Sequence, residues 1–192
     1  MKNTKTSSIS TQKLVLSAIM TALVVILQFL SMNMRFSMFS ITLTLVPIVL
    51  GAALCGVSVG AWLGFVFGII VLLTGDANAF LAINVPGTII TVLVKGTMSG
   101  LCAGLVYKLL SQKNRYLGVM TAAIVSPIVN TGIFLVGCSV FFMDTITQWA
   151  NGGNVIQYML VGLVGINFLI ELAINVVLGP VIVRLLDIRK KN

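Results

Sequence analysis

Hydrophobic residues are gathered in six runs, separated by short stretches that hold most of the polar and charged residues. A helix needs about 20 apolar residues to cross a bilayer core about 30 Å thick, so the pattern predicts an all-α integral membrane protein. We expect one domain over residues 1–192, a six-transmembrane-helix bundle. The second run is short, and the fourth and sixth are long enough to tilt or protrude. The predicted helices cover residues 13–31, 41–56, 58–74, 84–110, 117–142 and 158–187.

Composition supports this class and argues against several others. Hydrophobic residues make up 58% of the chain and charged residues 8%, and the mean hydropathy is +1.12, as in membrane proteins. The chain has no His, and its Cys residues stand at unrelated spacings in apolar runs, so we expect no metal site and no cofactor. The sequence also lacks a phosphate-binding loop, a nucleotide fingerprint and a catalytic triad, which argues against an ATPase or another enzyme.

The distribution of basic residues predicts the orientation in the membrane. The net charge is +8, but the basic residues lie between apolar runs, so we expect no nucleic-acid partner. The positive-inside rule places loops rich in Lys and Arg in the cytoplasm, and with an even number of spans both termini lie there. The basic residues on that side are Lys2, Lys5, Lys13, Lys108, Lys113, Arg115, Arg184, Arg189, Lys190 and Lys191, whereas the opposite loops carry only Arg35, Asp76 and Asp144 as charges.

One lysine interrupts the fourth run. Lys95 lies about 16 Å along a helix that starts at Asn84, near the bilayer midplane, where a charge is costly and is usually turned toward protein or a cavity. Asn130 on the fifth helix, and Asn167 and Glu171 on the sixth, have similar depths, and the last two share one helix face. Two interpretations stay open: a Lys95–Glu171 salt bridge that locks two helices, or a mostly apolar small-molecule pocket open to the outer side.

The outer loops add candidate binding residues. They are rich in amides and include Arg35, so Lys95 or Arg35 would attract a ligand carboxylate or phosphate, and the amides would bind hydroxyl or amide groups. The alternative is a set of ordinary interfacial loops with aromatic residues at the membrane surface. The candidate substrate-binding residues are Asn33, Arg35, Asp76, Asn78, Asn84, Lys95, Asn130, Asn167 and Glu171.

Small residues recur at every fourth position on three of the predicted helices. They are Ala18 and Ala22 on the first, the glycines from Gly56 to Gly68 on the third, and those from Gly96 to Gly104 on the fourth. Helices in lipid associate largely through such small faces. The glycine runs fit either internal packing of the bundle or a surface for a separate membrane subunit, and the two alanines leave the same choice open.

Several stretches together resemble the substrate-specific (S) components of energy-coupling factor (ECF) transporters, the prokaryotic vitamin importers. They are the basic N-terminal tail followed by Ala18-x-x-x-Ala22, the segment L-V-P-I-V-L-G-A-A-L-C-G-V-S-V-G-A-W-L-G-F-V-F-G from Leu45 to Gly68, and S-P-I-V-N-T-G-I-F at 126–134. The six-helix layout with cytoplasmic termini agrees with this resemblance, which covers nearly the whole length. The glycine-rich segment around Trp62 is most similar to the subgroup with pantothenate- and cobalamin-type S components.

The resemblance implies a multi-pass subunit of a prokaryotic plasma membrane that has no energy source of its own. It would capture a vitamin from outside with the first outer loop and helices four to six. It would then associate with a transmembrane coupling (T) subunit and two cytoplasmic ATPase subunits, and Ala18 and Ala22 match the family's T-subunit contact. Pantothenate is the first substrate candidate, because a flexible anion with hydroxyl and amide groups suits Lys95, Arg35 and the Asn side chains. Cobalamin and riboflavin are alternatives.

Two other functions stay open at this point. One is a small helical membrane protein that serves as a structural or assembly factor, with Lys95 and Glu171 as its internal lock. The other is a stand-alone channel for ions or solutes, which would conduct without any ATPase.

Overall fold

The computed structural model of the protein describes residues 11–32 and 42–191, and the described chain is helical with no β-strand. Eight residues, Tyr158–Gly165, form a π-helical segment that continues directly into the last helix. The helices are α1 (Thr11–Ser31), α2 (Leu45–Cys55), α3 (Val57–Leu73), α4 (Asn78–Leu81), α5 (Val85–Leu110), α6 (Arg115–Phe141), α7 (Met143–Trp149), α8 (Val155–Gln157) and α9 (Ile166–Lys191).

Four helical stretches are long and apolar enough to cross a membrane. They are Thr11–Ser31, Val85–Leu110, Arg115–Phe141 and Val155–Ile188. Helices α2 and α3 are apolar too, but they have only 11 and 17 residues, short of the roughly 20 that a straight span needs. The prediction of an all-helical protein with several helices able to span a membrane is confirmed for the described residues. The count of six spans stays a prediction.

Most residues of the four long helices are at least partly exposed. Even in the most enclosed of them, Val85–Leu110, only 39% of the apolar window is buried inside the protein. Large aliphatic side chains cover the outer surface, such as Val177 with 71% of its area exposed. A helix that is hydrophobic on all sides is expected where lipid rather than water surrounds it.

Local sequence signals set where several helices begin and end. Gly56 separates α2 from α3 with φ at +99°, a conformation that other residues rarely adopt. Asn84 caps α5 by accepting a hydrogen bond from the backbone N–H of Gly87 at 2.9 Å. Asn114 caps α6 in the same way, with the N–H of Tyr116 as a donor at 2.9 Å. These caps satisfy backbone donors that a helix start leaves free.

Glycines bring α3 and α5 into backbone contact. A Cβ atom added at Gly64 would overlap the carbonyl oxygen of Gly96, and one added at Gly96 would overlap the carbonyl of Gly64. Gly60 and Gly100 form a second such pair, with 2.6 Å between an added Cβ at Gly60 and the Gly100 oxygen. The glycine runs therefore serve internal packing of the bundle, as small residues do between membrane helices. Gly56 is not part of this face, because it lies in the turn.

Helix α6 is held between α5 and α9 by polar contacts. The Ser99 hydroxyl on α5 donates to the carbonyl oxygen of Ser126 on α6 at 2.9 Å, and both side chains are buried. Pro127 follows within α6 and cannot donate a backbone hydrogen bond. At the far end of α6, the Arg115 guanidinium forms an ion pair with Asp187 on α9 at 3.1 Å. Both contacts lie before Pro127, so they connect the first half of α6 to its two neighbours.

Candidate functional site

A cavity lies inside the bundle, toward the end where α1 finishes and α5 begins. It encloses about 500 Å³ of space between atoms, including its open mouth, but only about 50 Å³ admits the centre of a water molecule. It is therefore narrow. Its lining residues are Thr42, Phe67, Val71, Asp76, Lys95, Asn130, Thr131, Phe134, Leu163, Val164, Asn167, Phe168 and Glu171.

The structure brings together four polar residues that the sequence predicted at similar depth. Lys95 on α5, Asn130 on α6, and Asn167 and Glu171 on α9 all line this one cavity. Asn130, Asn167 and Glu171 are each more than nine-tenths buried. Seven of the thirteen lining residues are polar or charged, so the expectation of a mostly apolar pocket is wrong and the wall is about half polar. A few charged and amide groups that converge on one cavity are typical of small-molecule sites. Their role in binding a substrate stays a prediction.

Lys95 is partly buried between two aromatic rings. Its ammonium nitrogen lies 5.9 Å from the ring centroid of Phe67 on α3 and 5.4 Å from that of Phe134 on α6. Both distances are within the range of cation–π attraction, about 6 Å. Phe134 comes one helical turn after Asn130, so both reach the same wall.

The direct salt bridge between Lys95 and Glu171 is not formed. These two described residues are farther apart than the 4.0 Å limit of an ion pair, although Glu171 and Asp76 both act on the lysine electrostatically. The interpretation of Lys95 and Glu171 as a direct lock between helices is therefore wrong. The physical reason is that the aromatic rings hold the ammonium, while Glu171 has a different partner.

That partner is the backbone N–H of Thr42, in the segment that leads into α2. The N–H donates to Glu171 Oε1 at 3.0 Å, and both residues are buried. Glu171 thus connects α9 to the entrance of α2 while its side chain stays in the cavity wall.

Asn130 has unused hydrogen-bonding capacity. Its side chain is 4% exposed, and its Oδ1 has no hydrogen-bond partner in the described part of the chain. Buried polar atoms nearly always have a partner, so an acceptor left open in a cavity wall calls for a donor from a ligand or a water molecule. Asn175, which shares a face with Glu171, does not line the cavity: its Nδ2 donates to the Glu171 backbone carbonyl at 2.8 Å, while its Oδ1, like that of Asn130, has no partner among the described residues.

The π-helical segment Tyr158–Gly165 shapes the α9 side of the cavity. It contributes Leu163 and Val164 to the lining, and Asn167 and Phe168 follow just after it. Segments of this kind are rare and often occur at functional sites. The sequence analysis missed it, because a run of apolar residues and glycines does not distinguish a π-helix from an α-helix.

The outer-loop candidates divide into three groups. Asp76 lines the cavity. Asn78 and Asn84 do not: Asn78 is exposed beside Gly75, and Asn84 caps α5. The predicted residues Asn33 and Arg35 lie outside the described part of the chain.

The sequence analysis also missed the aromatic and hydroxyl residues of the lining. They include Phe67, Phe168, Thr42 and Thr131. Phe168 and Thr131 directly follow the predicted residues Asn167 and Asn130, but successive helix residues point about 100° apart, so adjacency gave no signal. Phe67 had none, since it lies on α3 in a run with several other apolar residues.

Ala18 and Ala22 are exposed on α1 and do not line the cavity. The described residues contain no group of three or more His, Cys, Asp and Glu side chains placed to hold a metal ion. All three cysteines are free, and Cys55 and Cys138 are buried.

Comparison with known protein families gives one match. The family model described as "ECF transporter, substrate-specific component" matches residues 12–183, which is most of the chain. No curated protein and no solved structure matches the chain significantly.

Proposed function

Since the chain belongs to the substrate-specific components of ECF transporters, which are transport-binding subunits and not enzymes, we propose that it binds a vitamin or related micronutrient in the Lys95 cavity. It takes this substrate from outside the cell and delivers it inward with a T subunit and two ATPase subunits. Its location is a prokaryotic plasma membrane, which it crosses several times.

The observation that carries the proposal is the cavity itself. Helices α5, α6 and α9 each contribute a charged or amide side chain to one wall, and Asn130 keeps an open acceptor there. Burying charged and amide side chains within a membrane protein costs free energy. A polar substrate that satisfies them would explain why they are gathered in one place.

We propose six spans with both termini in the cytoplasm. This orientation is supported by the basic residues Lys108, Lys113 and Arg115 around the α5–α6 turn, since positive loops stay inside. In this orientation the end of α5 that Asn84 caps faces outside, where the substrate is captured.

We propose that Ala18 and Ala22 form the contact with the T subunit. Both are exposed on α1, one helical turn apart, and small residues at this spacing let another helix approach closely. Their distance from the cavity would leave substrate binding and subunit contact on separate surfaces.

Pantothenate is our first substrate candidate, which places the chain in the pantothenate- and cobalamin-like subgroup. Its carboxylate suits the Lys95 ammonium, and its amide suits Asn130 and Asn167. Its two hydroxyl groups are donors for the carboxylates of Glu171 and Asp76. A slender molecule also fits a narrow cavity better than the large ring systems of cobalamin and riboflavin do.

The test is titration calorimetry on the detergent-purified protein with pantothenate, combined with native mass spectrometry to identify any co-purified molecule. We expect tight binding of pantothenate. Binding of another vitamin instead would remove pantothenate and keep the transporter function. Binding of no vitamin would overturn the function in favour of an assembly factor. Vitamin uptake into liposomes without a T subunit or ATPases would instead indicate a channel.

A further inference from the structure

A second lobe opens on the other side of Lys95. It lies among α3, α4, α5 and α6 and encloses about 360 Å³ of space between atoms, open solvent included. It shares Lys95, Val71, Asp76 and Phe134 with the cavity described above. The rest of its wall is mostly apolar and consists of Ala77, Phe80, Thr88, Thr91, Val92 and Phe142.

Packed aromatic rings form one end of this lobe. The Phe80 ring meets the Phe142 ring edge to face, with centroids 4.9 Å apart, and the Trp149 ring at 5.7 Å. Phe80 and Phe142 are each only 3% exposed. Edge-to-face packing of this kind fixes ring positions, so the lobe has a defined apolar surface.

The Thr91 hydroxyl is an open polar group in this apolar wall. Thr91 is 5% exposed, and its Oγ1 has no hydrogen-bond partner in the part of the chain that the structure describes. A Cβ atom added at Gly137 on α6 would overlap the Thr91 side chain, so Gly137 provides the room for it. Buried hydroxyl groups are normally paired.

Thr88, one helical turn earlier in the same lobe, differs in one respect. Its hydroxyl donates to the carbonyl oxygen of Asn84 at 2.8 Å, within its own helix. Thr88 is also buried, with 2% of its area exposed. The two threonines thus share helix, burial and lobe, and of the two only the Thr91 hydroxyl has no hydrogen-bond partner among the described residues.

We infer that this lobe is a second binding subsite, which takes an apolar segment of the substrate and pairs the Thr91 hydroxyl with a polar group on it. The inference rests on the proposed function. Because Lys95 and Phe134 border both lobes, a substrate that fills both must pass beside the lysine. The substrate class is therefore an extended molecule with hydroxyl or amide groups in the first cavity, an acceptor within its chain at Lys95, and an apolar segment that reaches Phe80 and Phe142. Pantothenate bound with its terminal carboxylate at Lys95 would leave this lobe empty.

The experiment uses the full chain in detergent. Thermal unfolding of the wild type is followed with pantothenate, riboflavin, cobalamin, thiamine, biotin and folate, one at a time. The compound that raises Tm most is then titrated into the variants Thr91→Val, Thr91→Ser and Thr88→Val by calorimetry. Each variant's Tm without vitamin reports whether it has folded.

We expect Thr91→Val to weaken binding about fivefold or more, because it removes one buried hydrogen bond. Thr91→Ser keeps the hydroxyl and should bind within about threefold of the wild type, and Thr88→Val should do the same. Unchanged affinity in folded Thr91→Val, or an equal loss in Thr88→Val, would overturn the subsite while leaving the proposed function intact. If no compound binds the wild type, the proposed function fails and the subsite fails with it.

Discussion

Glu171 and Thr42 are 129 positions apart in the chain, yet the Glu171 carboxylate accepts the Thr42 backbone N–H at 3.0 Å. This hydrogen bond joins the middle of α9 to the residues that lead into α2. It also accounts for the position of Glu171 in the cavity wall, because the carboxylate is held by the backbone and not by Lys95.

Replacing Glu171 by Leu should leave the Thr42 N–H buried without an acceptor, at a cost of about 1–3 kcal/mol. We expect a lower Tm and faster hydrogen–deuterium exchange in the peptide that contains residues 42–45. Glu171→Gln keeps an acceptor oxygen and should give an intermediate effect. Exchange that is unchanged in Glu171→Leu would show that this hydrogen bond does not hold the entrance of α2.

Replacing Lys95 by Met should weaken pantothenate binding more than about tenfold, if the ammonium contacts the carboxylate. Hydrogen bonds to charged groups contribute about 1.5–3 kcal/mol, and about 1.4 kcal/mol corresponds to tenfold in affinity. Lys108→Met is the matched control, since Lys108 is exposed near the end of the same helix. Calorimetry measures both variants. An unchanged affinity together with a lower Tm would assign Lys95 a structural role instead.

Replacing Gly64 by Ala should destabilise the protein, because the added methyl group would overlap the Gly96 carbonyl. Overpacking of this kind costs about 1–3 kcal/mol, which we expect to lower Tm by about 5 °C. Gly132→Ala is the control, since nothing lies within 4 Å of an added Cβ there. Equal Tm values for the two variants would contradict backbone contact between α3 and α5.

Replacing Ala18 and Ala22 together by Trp should abolish transport and leave vitamin binding intact. The bulky side chains would block close approach of a T-subunit helix, and both positions are exposed and distant from the cavity. Val177→Trp, at another exposed position, is the control. The assay is vitamin uptake into liposomes that also contain the T subunit and ATPases. Full uptake by the double variant would place the contact elsewhere.

The sequence predicted the long helices closely. The expected helix at 84–110 is found as Val85–Leu110, because a long apolar run with Asn before it and Lys near its end marks both boundaries. The short helices α4, α7 and α8 were not predicted, since they lie within polar loops and have seven residues or fewer. Segments of that length carry too few residues to show a helical period.

The candidate site could be predicted only in part, because a sequence indicates the depth of a residue along a membrane helix but not the direction in which its side chain points. Depth along a helix follows from counting residues. Lys95, Asn130 and Asn167 were expected at similar depth on this basis, and all three line the same cavity. Rotation about the helix axis does not follow, because a membrane helix is apolar on every side. The rings of Phe67 and Phe134 beside Lys95 therefore emerged only from the packing.

Asn84 shows a different limit of sequence reasoning. An exposed amide at the start of a helix can bind a ligand or cap the helix, and the cap is what the structure contains. The signal was available, since Pro86 stands within the first turn, as is typical just after a cap.

Phe67 and Lys95 each stand one residue before a glycine of the α3–α5 contact, Gly68 and Gly96. The spacing of these two cavity side chains is thus set by peptide groups that already touch, and no rotamer change can draw their helices closer. This wall of the cavity is preorganised: its ordering is completed when the protein folds. A substrate that enters loses less free energy to ordering the protein, which is how a rigid surface gains affinity without additional contacts.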